Sequence, residues 1–128
     1  MRALIDTHAF LWWLDGDRRL SAASRRIIAD EGNTIIVSAA TAWEISTKVR
    51  LGKLPGAVDV AADLMGCIRG QKFDHLDITI LHAQRSGGLP GVHRDPFDRM
   101  LAAQAQIEGL PIISNDLIFD DYAVSRIW

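Results

Sequence analysis

Three short apolar runs constrain this chain more than any other feature: "RALI" at Arg2–Ile5, "TIIVS" at Thr34–Ser38 and "PIIS" at Pro111–Ser114. Each is too short for a buried helix and is bounded by polar or turn-forming residues. Continuous apolar character without alternation is the mark of a strand covered on both faces, as in parallel sheets. The segments between them carry helix signals. "HAFLWWL" follows the first run, and Ser21 is placed to cap a helix reaching Glu31, with Gly32 as its stop. Ser38 caps "AATAWEISTKVRL", which stops at Gly52, and a further helix is predicted over Val58–Ile68. "TILHAQRS" is predicted helical until Gly87 and Gly88 break it, and Pro96–Glu108 is predicted helical up to Gly109. Weaker strand signals in "FDHLDI" and "AVSRIW" bring the expected total to about four or five strands. Strands alternating with helices predict an α/β fold: a twisted parallel sheet with helices on both faces. At 128 residues, the chain is expected to form a single domain over 1–128.

Sheets of this kind bind ligands beyond the carboxyl ends of their strands, at a topological switch point. Asp6 follows the first strand and Asp116 follows a late one, while Glu44 and Asp98 lie near the starts of helices that should face the same edge. Each acid also has a plain structural reading. Asp6 and Asp116 suit N-caps or Asx-turns, and Glu44 is spaced for an i,i+4 ion pair with Lys48. Asp95 precedes Pro96, the place of an N-cap whose carboxylate accepts from the amides of Phe97 or Asp98. Asp98, third in that helix, interacts well with the helix dipole. These readings account for the acids one at a time but not for their convergence. Carboxylates gathered at one sheet edge repel unless a hard, oxygen-liganded cation joins them. Magnesium takes one or two protein carboxylates and keeps waters, and two such ions about 3.5–4 Å apart suit phosphodiester hydrolysis.

Other chemistries fit the sequence less well. A formal net charge of -2 gives no bulk attraction to nucleic acid, so such a partner requires bound cations or a local basic rim. No phosphate-binding loop or dinucleotide fingerprint is present. His8, His75, His82 and His93 show no zinc-like pairing, and His93 is placed beside the acid loop, either structural or touching a phosphate. Ser38 and Ser114 lack nucleophile-elbow surroundings. The single Cys67 reads as core and fits a reducing cytoplasm. The N-terminus lacks a signal-peptide pattern, and no apolar run approaches the roughly 20 residues of a membrane span. A cytoplasmic protein without a membrane partner is expected.

Taken in order, "LIDTHAFLWWL", "SAATAWEISTKVRLGKL", "HRDPFDRMLAAQA" and "ISNDLIFDDY" resemble the PIN-domain ribonucleases, and most nearly the VapC-type toxins of bacterial toxin–antitoxin pairs. The resemblance runs from Leu4 to Tyr122 and implies a PIN-like fold. It places the family's four acids on Asp6, Glu44, Asp98 and Asp116, with Asp95 as an additional acid that is either a metal ligand or a cap. Ser114 matches a small hydroxyl position that supports the fourth acid. The resemblance further implies Mg2+ or Mn2+ as cofactor, RNA as substrate, a VapB-type antitoxin as partner and a homodimer.

Lys48, Arg50, Lys53, Arg94 and Arg99 are the cations nearest the motifs and are candidates for guiding the RNA backbone, each against the plain reading of a solvated charge. Trp12 and Trp13 point about 100° apart on a helix, so both cannot bury against one surface. An exposed tryptophan there suits an antitoxin helix or dimer seam, and a helix sandwiched on both sides is the alternative. Rival functions are a catalytically silent PIN-like interaction module and a small-molecule phosphatase. The phosphatase pattern needs an aspartate two residues after Asp6, where His8 stands.

Overall fold

The computed structural model describes residues 1–91 and 94–128. His93, expected beside the acid loop, lies outside the described residues. The strands are β1 (Arg2–Ile5), β2 (Thr34–Ser38), β3 (Asp74–Leu76), β4 (Ile112–Ile113) and β5 (Arg126–Ile127). The helices are α1 (Thr7–Asp15), α2 (Ala22–Ala29), α3 (Ala39–Arg50), α4 (Val58–Ala62), α5 (Leu64–Gly70), α6 (Ile80–Gly88) and α7 (Pro96–Glu108). Short 3-10 turns cover Pro55–Ala57 and Leu117–Tyr122.

The sheet is parallel throughout, in the order β3-β2-β1-β4-β5. The chain therefore winds outward from β1 through β2 to β3, then returns to place β4 on the opposite side of β1. The crevice between the carboxyl ends of β1 and β4 is the switch point. Register holds it in place: Ile5 pairs with Ile113, and the Asp6 N–H donates to the Ile113 carbonyl at 3.1 Å.

Strand residues alternate between two cores. Leu4, Ile36 and Ile112 pack with Met100, Leu101 and Phe119 on one face. Ala3, Ile5, Ile35, Val37 and Ile113 pack with Phe10, Leu20, Ile28 and Ile45 on the other. Covering both faces explains why the strands are apolar without alternation. A buried polar network ties the helices of the first face together. Ser38, which caps α3, bonds to the Gln104 amide oxygen; the Gln104 amide nitrogen reaches the Asp77 carbonyl and His82 Nδ1, both at 3.3 Å. His82 Nε2 in turn lies 2.9 Å from Glu108 Oε1.

Several helix boundaries differ from the sequence expectation. The helix expected over Val58–Ile68 breaks at Asp63, whose carboxylate accepts from the Gly66 N–H at 3.0 Å and starts α5 afresh. A Cβ at residue 66 would lie 2.1 Å from Asp63 Oδ2, so a larger residue there would require the Asp63 carboxylate to turn. α6 runs through Gly87 and Gly88, since the Arg99 guanidinium donates to the carbonyls of Ser86 (3.0 Å) and Leu89 (2.6 Å) and satisfies its end. α2 ends at Ala29, two residues earlier than expected, where the Asp30 side chain folds back to accept from Gly32 N–H. Among the described residues, no helix is long and apolar enough to cross a membrane.

Candidate active site

β1 delivers Asp6 to the switch point, and α1 keeps it there. The carboxylate caps α1 by accepting from Ala9 N–H at 2.7 Å, and the residue is 6% exposed. Thr7 bonds to Thr41 across the buried α1–α3 contact (Oγ1 to Oγ1, 3.1 Å), which fixes α3 beside this helix start. α3 then carries Glu44 inward, only 3% exposed, and Lys48 one turn later forms an ion pair with its carboxylate. The i,i+4 spacing thus forms its ion pair, part-buried rather than on the solvated surface.

On the other side of the crevice, β4 ends at Ser114. Its buried hydroxyl accepts from Asp116 N–H at 3.0 Å and also bonds to the Asp6 carboxylate. Asp116 caps the 3-10 turn that follows, accepting from Ile118 N–H at 3.0 Å. α7 closes the site from a third direction. Asp95 caps it with one oxygen, which accepts from Phe97 N–H at 2.9 Å and Asp98 N–H at 3.3 Å. Asp98 follows in the first turn.

Asp6, Glu44, Asp95, Asp98 and Asp116 thereby line one cleft of about 210 Å3 together with Thr7, His8, Lys48 and Asn115. The caps of Asp6, Asp95 and Asp116 each employ Oδ1. A capping role and a place in the cleft are thus compatible. The electrostatics record the crowding. Burial pushes the Asp6 carboxyl up to about 6; the Ser114 and Ala9 hydrogen bonds oppose that rise, and the charges of Glu44 and Asp116 add to it. Burial pulls the Lys48 ammonium down, yet the bond and charge of Glu44, with Asp95 and Asp98 behind it, outweigh burial and leave it raised.

The donor set is all oxygen, which fits a hard divalent cation. Among the described residues, no three His, Cys, Asp or Glu side chains are gathered closely enough to enclose an ion by themselves. Waters would complete the shell of any ion held there, as magnesium prefers.

The other cations are placed differently. Lys48 lines the cleft; Lys53 lines a neighbouring cavity of about 240 Å3 that shares His8 with it. Arg50 and Arg94 are exposed, and Arg99 serves the end of α6. Trp12 and Trp13 are each half-buried. Trp12 meets Trp128 edge-on at 5.9 Å and lies under the Arg19 guanidinium at 5.1 Å; Trp13 Nε1 donates to Gln71 at 2.9 Å. His8, Thr7 and Asn115 line the cleft without having been singled out from sequence as site residues. Their only sequence signal is adjacency to Asp6 and Asp116.

Residues 3–125 match the PIN domain. The chain belongs to the PIN-domain family. Over 75 residues it is 56% identical to Ribonuclease VapC16 of Mycobacterium tuberculosis, a match covering 57% of this chain and 53% of that protein. The chain thus spans about half the length of this curated relative. Solved structures share the PIN fold at low identity. A VapBC2 complex from Rickettsia felis bound to a promoter DNA fragment superposes with a TM-score of 0.72 at 16% identity, covering 99% of this chain and 98% of that one. A toxin–antitoxin complex from Klebsiella pneumoniae gives 0.65 at 22% identity, covering 98% and 96%. FitAcB from Neisseria gonorrhoeae gives 0.60 at 18%, covering 100% and 97%. Within this PIN domain, the acid cleft lies at the sheet's switch point, as the parallel topology requires.

Proposed function

We propose that this PIN domain is a VapC-type ribonuclease that hydrolyses RNA with Mg2+ or Mn2+, the toxin half of a cytoplasmic toxin–antitoxin pair. The observation that carries this reading is the lining of one switch-point cleft by Asp6, Glu44, Asp98 and Asp116. The PIN match over residues 3–125 and the identity to a named ribonuclease support it.

Asp6 and Asp98 would hold the principal ion with waters, Glu44 and Asp116 would reach it through water or complete a second site, and Asp95 lies at the margin. Once bound, a divalent cation activates water and neutralises charge on the phosphate oxygens. The protein's own part is geometric. Asp6 and Asp116 are anchored by helix-start amides, so their orientation is set before substrate arrives. Ser114 fixes their mutual spacing by bonding to both. Lys48 steadies Glu44 and brings positive charge to an acidic cleft that a phosphodiester must enter. Lys53, Arg50 and Arg94 offer exposed charge to the flanking backbone. With water as the nucleophile and the 3′-oxygen as the leaving group in this scheme, the products carry 5′-phosphates and 3′-hydroxyls, without 2′,3′-cyclic phosphate.

A VapB-type antitoxin partner is supported by the toxin–antitoxin complexes among the structural relatives. Trp12 and Trp13 are our candidates for its contact: Trp12 lines the cavity that shares His8 with the acid cleft, Trp13 lines a separate one with Gln71, and Trp12→Ala is expected to weaken the complex. A homodimer is part of the same reading; Ile80 and Leu81 on α6, 86% and 65% exposed, are apolar side chains for its seam.

The test is incubation of a mixed RNA pool with and without Mg2+ or Mn2+, using wild type and Asp98→Asn. Cleavage should require metal and fall at least about a hundredfold in the folded variant, in line with loss of a charge that holds the catalytic ion. Unchanged cleavage by folded Asp98→Asn would sink the assignment. Ends bearing 2′,3′-cyclic phosphate would replace it with metal-independent chemistry.

A further inference from the structure

Lys48 is the only lysine or arginine that lines the acid cleft among the described residues. Its ammonium pairs with Glu44, whose side chain is 4% exposed, while the lysine side chain itself is 26% exposed. The ammonium also lies over the Phe97 ring, 6.0 Å from its centroid, and so is held from the α7 side as well. Asp95 and Asp98 add their charges to the same point. Both members of the pair sit on α3, one turn apart, so the ammonium is positioned by a rigid element rather than a loop.

We propose that Lys48 stands in for a second cation: it holds Glu44 as a second ion would, so that the cleft takes one divalent ion, on its Asp6 and Asp98 side. The proposal rests on the metal-nuclease reading above and specifies how many ions that site holds. An ammonium bonded to Glu44 and a divalent ion on the same carboxylate would repel strongly at such short range in a part-buried cleft. Magnesium needs only one or two protein carboxylates, so the remaining acids suffice for one ion. Lys48 is thus a positioning residue that acts through Glu44, and its charge sets the metal count. The Glu44–Lys48 pair also explains why a deeply buried glutamate is tolerated beside other acids.

The experiment is a Mn2+ titration of RNA-free protein, followed by calorimetry and by counting bound Mn2+ with electron paramagnetic resonance. Wild type should bind one Mn2+ per chain. Lys48→Met keeps the stem against Phe97 and removes the charge, so it should bind a second Mn2+ or bind the first at least about tenfold more tightly. Lys48→Gln is measured beside it, so that a folding defect in one variant leaves the other to decide. Lys48→Arg retains the charge and should match wild type. A merely structural role for Lys48 would leave metal count and affinity unmoved. Two ions in wild type, or wild-type count and affinity in both folded neutral variants, would overturn the proposal; metal-dependent RNA cleavage would then still stand. Absence of Mn2+ binding by wild type would remove the metal-nuclease reading itself and this inference with it.

Discussion

Asp6 caps α1 and also belongs to the acid cleft, and its protonation links the two roles. Its ordinary pKa of 3.8 rises to about 6 in the folded protein, with burial as the largest cause. The folded state therefore holds this proton more tightly than the unfolded chain does. The associated stabilisation is fully present below about pH 4 and is lost as pH rises through about 6. At pH 7 the cost of keeping Asp6 ionised without metal is about 3 kcal/mol at ~1.4 kcal/mol per unit. Asn caps a helix as well as Asp does but carries no charge. In EDTA, Asp6→Asn should melt above wild type at pH 7, and the difference should vanish near pH 4. Thermal melts across that range check this; a constant difference at every pH would mean that Asp6 is not the titrating group. The same substitution should abolish RNA cleavage, so stability and activity should move in opposite directions.

At the scale of elements, the start of α7 separates two acids that the sequence places three apart. Asp95 accepts from two amides of the first turn, and its replacement by Ala should cost about 0.5–2 kcal/mol even without metal. Asp98 is not the cap. It shares the cleft with Asp6, Glu44 and Asp116, whose like charges offset its favourable contacts, so Asp98→Asn in EDTA should cost less than Asp95→Ala. Denaturant unfolding of the two variants distinguishes these roles, and a larger loss in Asp98→Asn than in Asp95→Ala would reverse them. Elements were also where sequence reading fell short. Asp63 splits a continuous apolar pattern, and Arg99 carries α6 past its glycines. A capping bond between neighbours is weakly coded, and a guanidinium arriving from another helix is not coded locally at all.

At the scale of the whole molecule, the cleft depends on three layers meeting in one register. Gln104 is fully buried and links Ser38 at the start of α3 with Asp77 and His82. Truncating it strands several buried polar groups at once, each worth about 1–3 kcal/mol. Gln104→Ala should therefore destabilise clearly, by about 2–4 kcal/mol in denaturant unfolding, and lower the metal response by loosening α3 against α7. Mg2+ binding to the folded state should add about 2.7 kcal/mol at a hundredfold excess over its dissociation constant. That gain should persist, at least in part, in Asp95→Ala and shrink sharply in Asp98→Asn. Thermal melts with EDTA and with Mg2+ read it directly, and a full shift in Asp98→Asn would exclude that residue as a ligand.

The α/β class was legible in the chain, because short continuous apolar runs such as "TIIVS" are stable only when both faces are covered, and helix starts such as Ser38 and Asp95 cap locally. The sequence also shows which acids follow strands, since Asp6 and Asp116 stand directly beyond β1 and close beyond β4. That these acids share one cleft with Glu44 and Asp98 emerges in three dimensions, since it depends on β4 pairing with β1 rather than with β3. Tertiary contacts alone placed Lys48 inside that cleft and turned Arg99 away from it. Strand order and the side on which a long side chain lands come from contacts across distant segments, and a one-dimensional pattern carries periodicity but not that pairing.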